Sequence, residues 1–207
     1  YKTSTKIEVI NEGVTPPNFE AKEPQKTGLP QVKSPYLLYL GTIEPRKNLD
    51  TLVDAFFELK KENNLPHQLV LAGEIGWKTK QFLNKIENHE KEIILTKYVT
   101  EEQKASLYKH ADIFIYPSLY EGFGLPPLEA MSYKIPVICS TGGSLKEIFE
   151  NHALMFEPNH KEILKKHILN VVNNSQEKNL IAQKGQEYSK NFTWKKTAEK
   201  FLETFKY

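Results

Sequence analysis

The sequence is poor in several residues, and each scarcity excludes something. Cysteine occurs once, at Cys139 inside an apolar stretch, so no disulfide can form within the chain and a reducing compartment is its natural setting. Aspartate occurs three times, at 50, 54 and 112, and never as Asp-x-Asp. Arginine occurs once, at Arg46, among 28 basic residues. Methionine occurs twice and not at position 1, so the chain reads as a fragment. No run approaches the roughly 18 apolar residues that span a bilayer, and the N-terminus has neither the basic nor the apolar region of a secretion signal. Neither Gly-x-Gly-x-x-Gly after the first strand nor Gly-Lys-Ser/Thr is present, so the dinucleotide-fold and P-loop readings lose their main support. None of the six histidines has metal-ligand spacing with a second ligand type, and they read as surface residues.

What is present is ordinary for a globular protein: 207 residues, 39% hydrophobic, 11% aromatic, formal charge +2. Lysines scattered at near-neutral balance argue against a nucleic-acid groove, which concentrates basic residues on one face. Residues 7–10 look like a short strand, and a polar lead-in rich in Pro runs to residue 34. Regular alternation then begins. Apolar strands at 36–40, 68–72, 93–95, 112–116, 136–139 and 153–156 are separated by helical patterns near 49–62, 76–89, 101–109, 126–133 and from Ser144. Strands apolar on both faces and separated by helices predict a Rossmann-like, doubly wound parallel α/β sheet of about six strands, with ligands at the strand carboxyl ends. Helices alone follow, near 159–173, 176–189 and 193–206; the last carries Trp194, Ala198, Phe201, Leu202 and Phe205 on one stripe that something must cover.

Two loops leaving strand ends hold the candidate chemistry. In Gly41-Thr-Ile-Glu-Pro-Arg-Lys-Asn48, Gly41 permits a sharp exit, and Arg46 and Lys47 precede a helix that Asn48 or Asp50 would cap. Two cations at a helix N-terminus oppose its dipole, unless an anion is to be held there by an arginine fork, a lysine and free amides; a solvated charge pair is the plainer reading. In Ser118-Leu-Tyr-Glu-Gly-Phe-Gly-Leu-Pro-Pro-Leu-Glu-Ala-Met131, Gly122 and Gly124 let backbone amides approach a ligand, and Pro126-Pro127 start the next helix. Glu121 precedes the glycines and Glu129 lies about one turn into the helix, with seven residues between them. One carboxylate can bind the vicinal hydroxyls of a ribose while the other orients a sugar; a glycosidase pair is the rival use, but such an enzyme would not need the Arg/Lys loop. A third loop, Thr141-Gly-Gly-Ser144, carries a capping box between Ser144 and Glu147, and its glycines either admit a ligand or make a simple turn.

Gly41-Thr-Ile-Glu-Pro-Arg-Lys-Asn-Leu49 together with Glu121-Gly-Phe-Gly-Leu-Pro-Pro-Leu-Glu129 resembles the nucleotide-sugar-binding half of retaining glycosyltransferases of the GT-B fold, the group 1 or family-four enzymes. The resemblance implies that Arg46 and Lys47 hold the donor diphosphate, that Glu129 binds the ribose, and that Glu121 with the amides of Gly122, Phe123, Gly124 and Leu125 faces the transferred sugar. By position it also implies that Tyr98, Val99, Thr100 and Glu101 line the base pocket. Glu121, Arg46 and Lys47 would then carry catalysis, with Gly41 shaping the phosphate loop. Thr42 stands where many members have Arg or Lys.

The same resemblance implies residues 1–34 as interdomain connection and lead-in, 35–190 as donor-binding domain and 191–207 as a helix crossing back to an acceptor domain absent from this chain. The function implied is transfer of a hexose from a nucleotide sugar to a glycan or lipid-linked acceptor. The expected donor is GDP-mannose, with UDP-sugars next, and no metal is required. The expected location is cytoplasmic, with the full-length enzyme at the inner face of the membrane. A nucleotide-sugar 2-epimerase and a non-catalytic nucleotide-binding module are the alternatives.

Overall fold

The computed structural model describes residues 7–205; the outermost residues of the expected lead-in (1–6) and of the final helix (206) lie outside them. Six parallel strands form one sheet: β1 (Tyr36–Leu40), β2 (Gln68–Ala72), β3 (Ile93–Lys97), β4 (Ile113–Tyr116), β5 (Val137–Ser140) and β6 (Leu154–Phe156). Their order is β3-β2-β1-β4-β5-β6, so the winding reverses between β1 and β4. Such a reversal leaves a crevice outside the strand carboxyl ends, because the connections leave its two sides in opposite directions. The expected six-stranded Rossmann-like sheet is therefore the observed one.

The strands form because they are apolar on both faces: Tyr36 through Tyr39, Leu69 through Ala72 and Ile113 through Tyr116 are all buried. Eight α-helices are described, α1 (Leu49–Asn63), α2 (Lys80–Ile86), α3 (Glu101–His110), α4 (Leu125–Ser132), α5 (Leu145–Phe149), α6 (Lys161–Asn173), α7 (Ser175–Ser189) and α8 (Trp194–Glu203). Helix α1 packs against α2 and α6, and α4 packs against α7. Leu49, Leu52, Val53, Phe56 and Leu59 are the buried stripe of α1. Thr100 and Gln103 close a capping box on α3, and Asn174 caps α7.

Several local expectations are corrected. Residues 7–10 form no strand, and Ile7 and Val9 are exposed rather than buried in the sheet. Helix α2 is seven residues rather than the expected fourteen: the chain before Thr79 forms a loop hydrogen-bonded to the first site loop, and Glu87 leaves the helical conformation at the other end. Asn48 does not cap α1: it takes a left-handed conformation, and its carboxamide donates to the carbonyls of Pro117 and Pro158. Asp50 pairs with Lys85 instead of capping. The Ser144–Glu147 capping box does not form, since the Ser144 hydroxyl donates to the Glu121 carbonyl at 3.1 Å.

The histidines are not uniformly at the surface either. His67 is 2% exposed and meets Asp112 Oδ2 at 2.8 Å, while Lys178 of α7 reaches Asp112 Oδ1 at 2.6 Å. These partners hold the Asp112 carboxyl down at about 2, His67 first and Lys178 after it.

Candidate functional site

Loops 41–48 and 117–124 leave the carboxyl ends of β1 and β4, on the two sides of the winding reversal. Gly41 stays tied to the sheet, its amide donating to the Ala72 carbonyl. Pro45–Lys47 then make a 3-10 turn directly ahead of α1. That turn sends Lys47 inward and Arg46 outward, and both meet Glu121. Lys47 Nζ lies 2.6 Å from Glu121 Oε1, and Arg46 Nη1 lies 2.9 Å from Glu121 Oε2. The two loops are joined again where the Leu119 amide donates to the Arg46 carbonyl and Arg46 Nη1 donates to the Tyr120 carbonyl.

Lys47 is 6% exposed, unusual for a lysine, and its burial is offset by three interactions with two residues. Besides Glu121, it donates to Tyr116 Oη at 3.1 Å and lies 5.2 Å from the centre of that ring. Burial pushes the Glu121 carboxyl up, but Lys47, the neighbouring Ser118 hydroxyl and Arg46 outweigh it and hold the group below the usual carboxylate range. Burial and then the Glu121 charge push the Tyr116 phenol far above its ordinary value, so it remains a neutral hydroxyl. The two cations at the start of α1 are thus each paired with carboxylates of the chain itself.

Gly124 precedes α4 with φ +101°, and a Cβ there would meet Leu145 at 2.8 Å and Phe149 at 2.9 Å, so both conformation and space require glycine. Gly124 is the N-cap of α4, and because Pro126 and Pro127 carry no N–H, the backbone donors ahead of this helix belong to residues 122–125, in the loop that leaves β4. Phe123 is half-buried and packs edge-on against Phe192. At Gly122 a Cβ would meet nothing within 4 Å. In the third loop a Cβ on Gly142 would strike the Leu119 and Ser118 carbonyls at 2.4 and 2.5 Å, so that glycine serves the approach of loop 117–124 itself.

Glu129 is not in contact with the Arg46–Lys47–Glu121 cluster. Its Oε2 accepts from Tyr108 Oη at 2.9 Å, and Lys104 Nζ stands 3.4 Å from its Oε1. It lines a cavity of about 320 Å³ with Asn18, Glu101, Lys104, Tyr108 and Tyr133. Glu101 belongs to the segment expected at the base pocket; within that segment Val99 is half-buried against the core and Tyr98 is exposed. Stacked or tilted rings, Tyr116, Phe114 and Tyr108, at 6.1 and 5.7 Å, connect the surroundings of the two carboxylates.

Sequence reasoning gave no role to Glu44, Trp77, Tyr108 or Tyr116. Glu44 lies in the first loop motif and Tyr116 ends the strand before the second, which are signals of place only; Trp77 and Tyr108 come from distant loops and helices. Among the described residues no group of three or more His, Cys, Asp or Glu is placed to hold a metal ion. No helix among them is long and apolar enough to cross a membrane.

The chain is 36% identical over 173 residues to O-antigen chain mannosyltransferase B of Escherichia coli, covering 83% of this chain and 45% of that protein. A glycosyltransferase structure from Rickettsia africae superposes with TM-score 0.79 at 24% identity, over 97% of this chain and 57% of that one. Anabaena HepE in complex with UDP-glucose superposes with TM-score 0.75 at 18% identity, over 87% of this chain and 51% of that one. The chain spans about half the length of these relatives, or less, and its fold is the Rossmann-like half of a GT-B glycosyltransferase. Residues 20–188 match the family described as glycosyl transferases group 1, and with more than three quarters of its length so matched the chain belongs to that family.

Proposed function

We propose that the chain binds the nucleotide-sugar donor of a retaining glycosyltransferase that moves a hexose, with mannose the expected sugar and GDP-mannose the expected donor, to a hydroxyl of a glycan or lipid-linked acceptor. The observation that carries this reading is the convergence of Arg46, Lys47 and Glu121, from loops on the two sides of the winding reversal. Similarity to a mannosyltransferase of O-antigen chains supports the sugar, and the likeness to HepE, whose structure holds UDP-glucose, supports the ligand class.

In this reading Arg46, Lys47 and the Gly122–Leu125 amides ahead of Pro126-Pro127 meet the charge that develops on the departing diphosphate. Glu121 and the backbone of residues 122–125 hold the sugar. Glu129 receives the ribose hydroxyls in the cavity with Lys104 and Tyr108, and Tyr98 to Glu101 flank the base. Residues 35–190 form the donor-binding unit, 1–34 its lead-in and 191–207 the crossing helix; the acceptor belongs to the remainder of the enzyme, which works in the cytoplasm at the inner membrane face.

The diphosphate charge is met by side chains and amides, so donor binding should survive EDTA and gain little from Mg²⁺ or Mn²⁺. Calorimetric titration with GDP-, UDP-, ADP- and dTDP-sugars, with and without EDTA, tests both points. Affinity for GDP-mannose above the other three supports the reading; no affinity for any nucleotide sugar overturns it, and affinity that collapses on chelation overturns the metal-free diphosphate site.

A further inference from the structure

Arg46 is nearly saturated by the protein. Its Nη1 serves Glu121 and the Tyr120 carbonyl, while Nε and Nη2 both donate to Glu44 Oε1, at 3.2 and 2.9 Å. Glu44 is itself fixed: its side chain is 14% exposed, and its Oε2 accepts from the indole N–H of Trp77 at 3.1 Å. The loop carrying Trp77 is clamped to the Glu44 loop through the backbone, Ile43 donating to Glu74 and Gly76 donating to Ile43, each at 2.8 Å. Among the groups directly bonded to one another, Arg46 and Lys47 supply two positive charges, and Glu44 and Glu121 supply two negative ones. The balance is zero. An anionic ligand arriving there meets a fork already occupied by a carboxylate.

We propose that Glu44 is a specificity-determining counter-charge, held by Trp77, that limits how much negative charge the site tolerates. This rests on the proposed diphosphate site and adds a selectivity to it. A free nucleoside diphosphate ends in a phosphate monoester whose second ionisation lies near neutrality, so at pH above about 7 it carries one more negative charge than a nucleotide sugar. Glu44 therefore disfavours the leaving product more than the donor. The two remaining duties of the site, holding the donor and letting the diphosphate go, are reconciled by one fixed carboxylate.

The test is calorimetric titration at pH 8 of the unmodified chain, Glu44→Gln, Glu44→Asp and Trp77→Phe with GDP, GDP-mannose, UDP and UDP-glucose at low and high salt, with circular dichroism to verify folding. For the base that binds, Glu44→Gln should tighten the nucleoside diphosphate about tenfold and the nucleotide sugar by clearly less, about threefold, with both gains shrinking at high salt. Glu44→Asp keeps the charge and should keep the original ratio, and Trp77→Phe, which removes only the anchor, should leave the salt dependence unchanged. An unchanged or lowered diphosphate-to-sugar-nucleotide preference in Glu44→Gln overturns the counter-charge while the donor site stands. If the unmodified chain binds none of the four ligands, the donor reading fails and this inference fails with it.

Discussion

Lys47 is a buried cation whose one carboxylate contact among the described residues is Glu121, and that makes Glu121 structural as well as chemical. Replacing it by Ala should leave the ammonium with the Tyr116 hydroxyl and ring alone, at a cost of about 3 kcal/mol read from the denaturant midpoint at constant m-value. Arg46, at the more exposed edge of the cluster, should behave differently. Arg46→Ala should cost little stability but weaken a nucleoside diphosphate by about 1.5–3 kcal/mol while leaving the nucleoside unchanged, which titration of GDP against guanosine checks. Far from this site, Asp112 supplies a pH dependence. Its folded value of about 2 lies below its ordinary 3.8, so the stabilisation is present above pH 4 and is lost as pH falls from 4 to 2. Because a third of that side chain is exposed, the contribution is discounted to about 1 kcal/mol. Asp112→Asn should lower stability at neutral pH by about that amount and flatten the acid limb of an unfolding series.

At the scale of elements, α7 and α8 contrast. Phe192, in the link between them, is buried against Phe123 and Tyr188, and its carbonyl accepts from Val14 of the lead-in. Helix α8 buries none of its residues, and Trp194, Phe201 and Leu202 are 52%, 54% and 61% exposed. Phe192→Ala should therefore cost about 3–4 kcal/mol, and Phe201→Ala less than about 0.5 kcal/mol, in this chain. Thermal unfolding of the two variants decides it; equal losses would mean that α8 contributes to the same core. The stripe on α8 was legible from periodicity because its spacing is 3.6. The cap of α1 was not, because Asn48 has the right residue type for a cap, and its use by Pro117 and Pro158 depends on loops 69 and 110 residues away.

At the scale of the whole molecule, the proposed function puts the acceptor site outside the donor-binding unit, and the chain spans about half the length of its glycosyltransferase relatives or less. It should bind a nucleotide sugar and transfer none; product formed by this polypeptide alone from GDP-mannose and a glycan or lipid-linked acceptor would refute that. The six strands and their order of appearance were written in the sequence, because both-face burial demands continuous apolar runs and those runs are local. The two loops were legible as well, since glycines, prolines and unusual charges at strand ends are local features. What the sequence could not carry was pairing at a distance: that Lys47 turns inward to Glu121 and Tyr116, that Glu44 and Trp77 occupy the Arg46 fork, that Glu129 faces Tyr108 and Lys104 on another helix, and that His67 is buried on Asp112. Each of these joins residues at least 20 positions apart or depends on a partner that does, and burial and charge balance exist only once the sheet has brought them together.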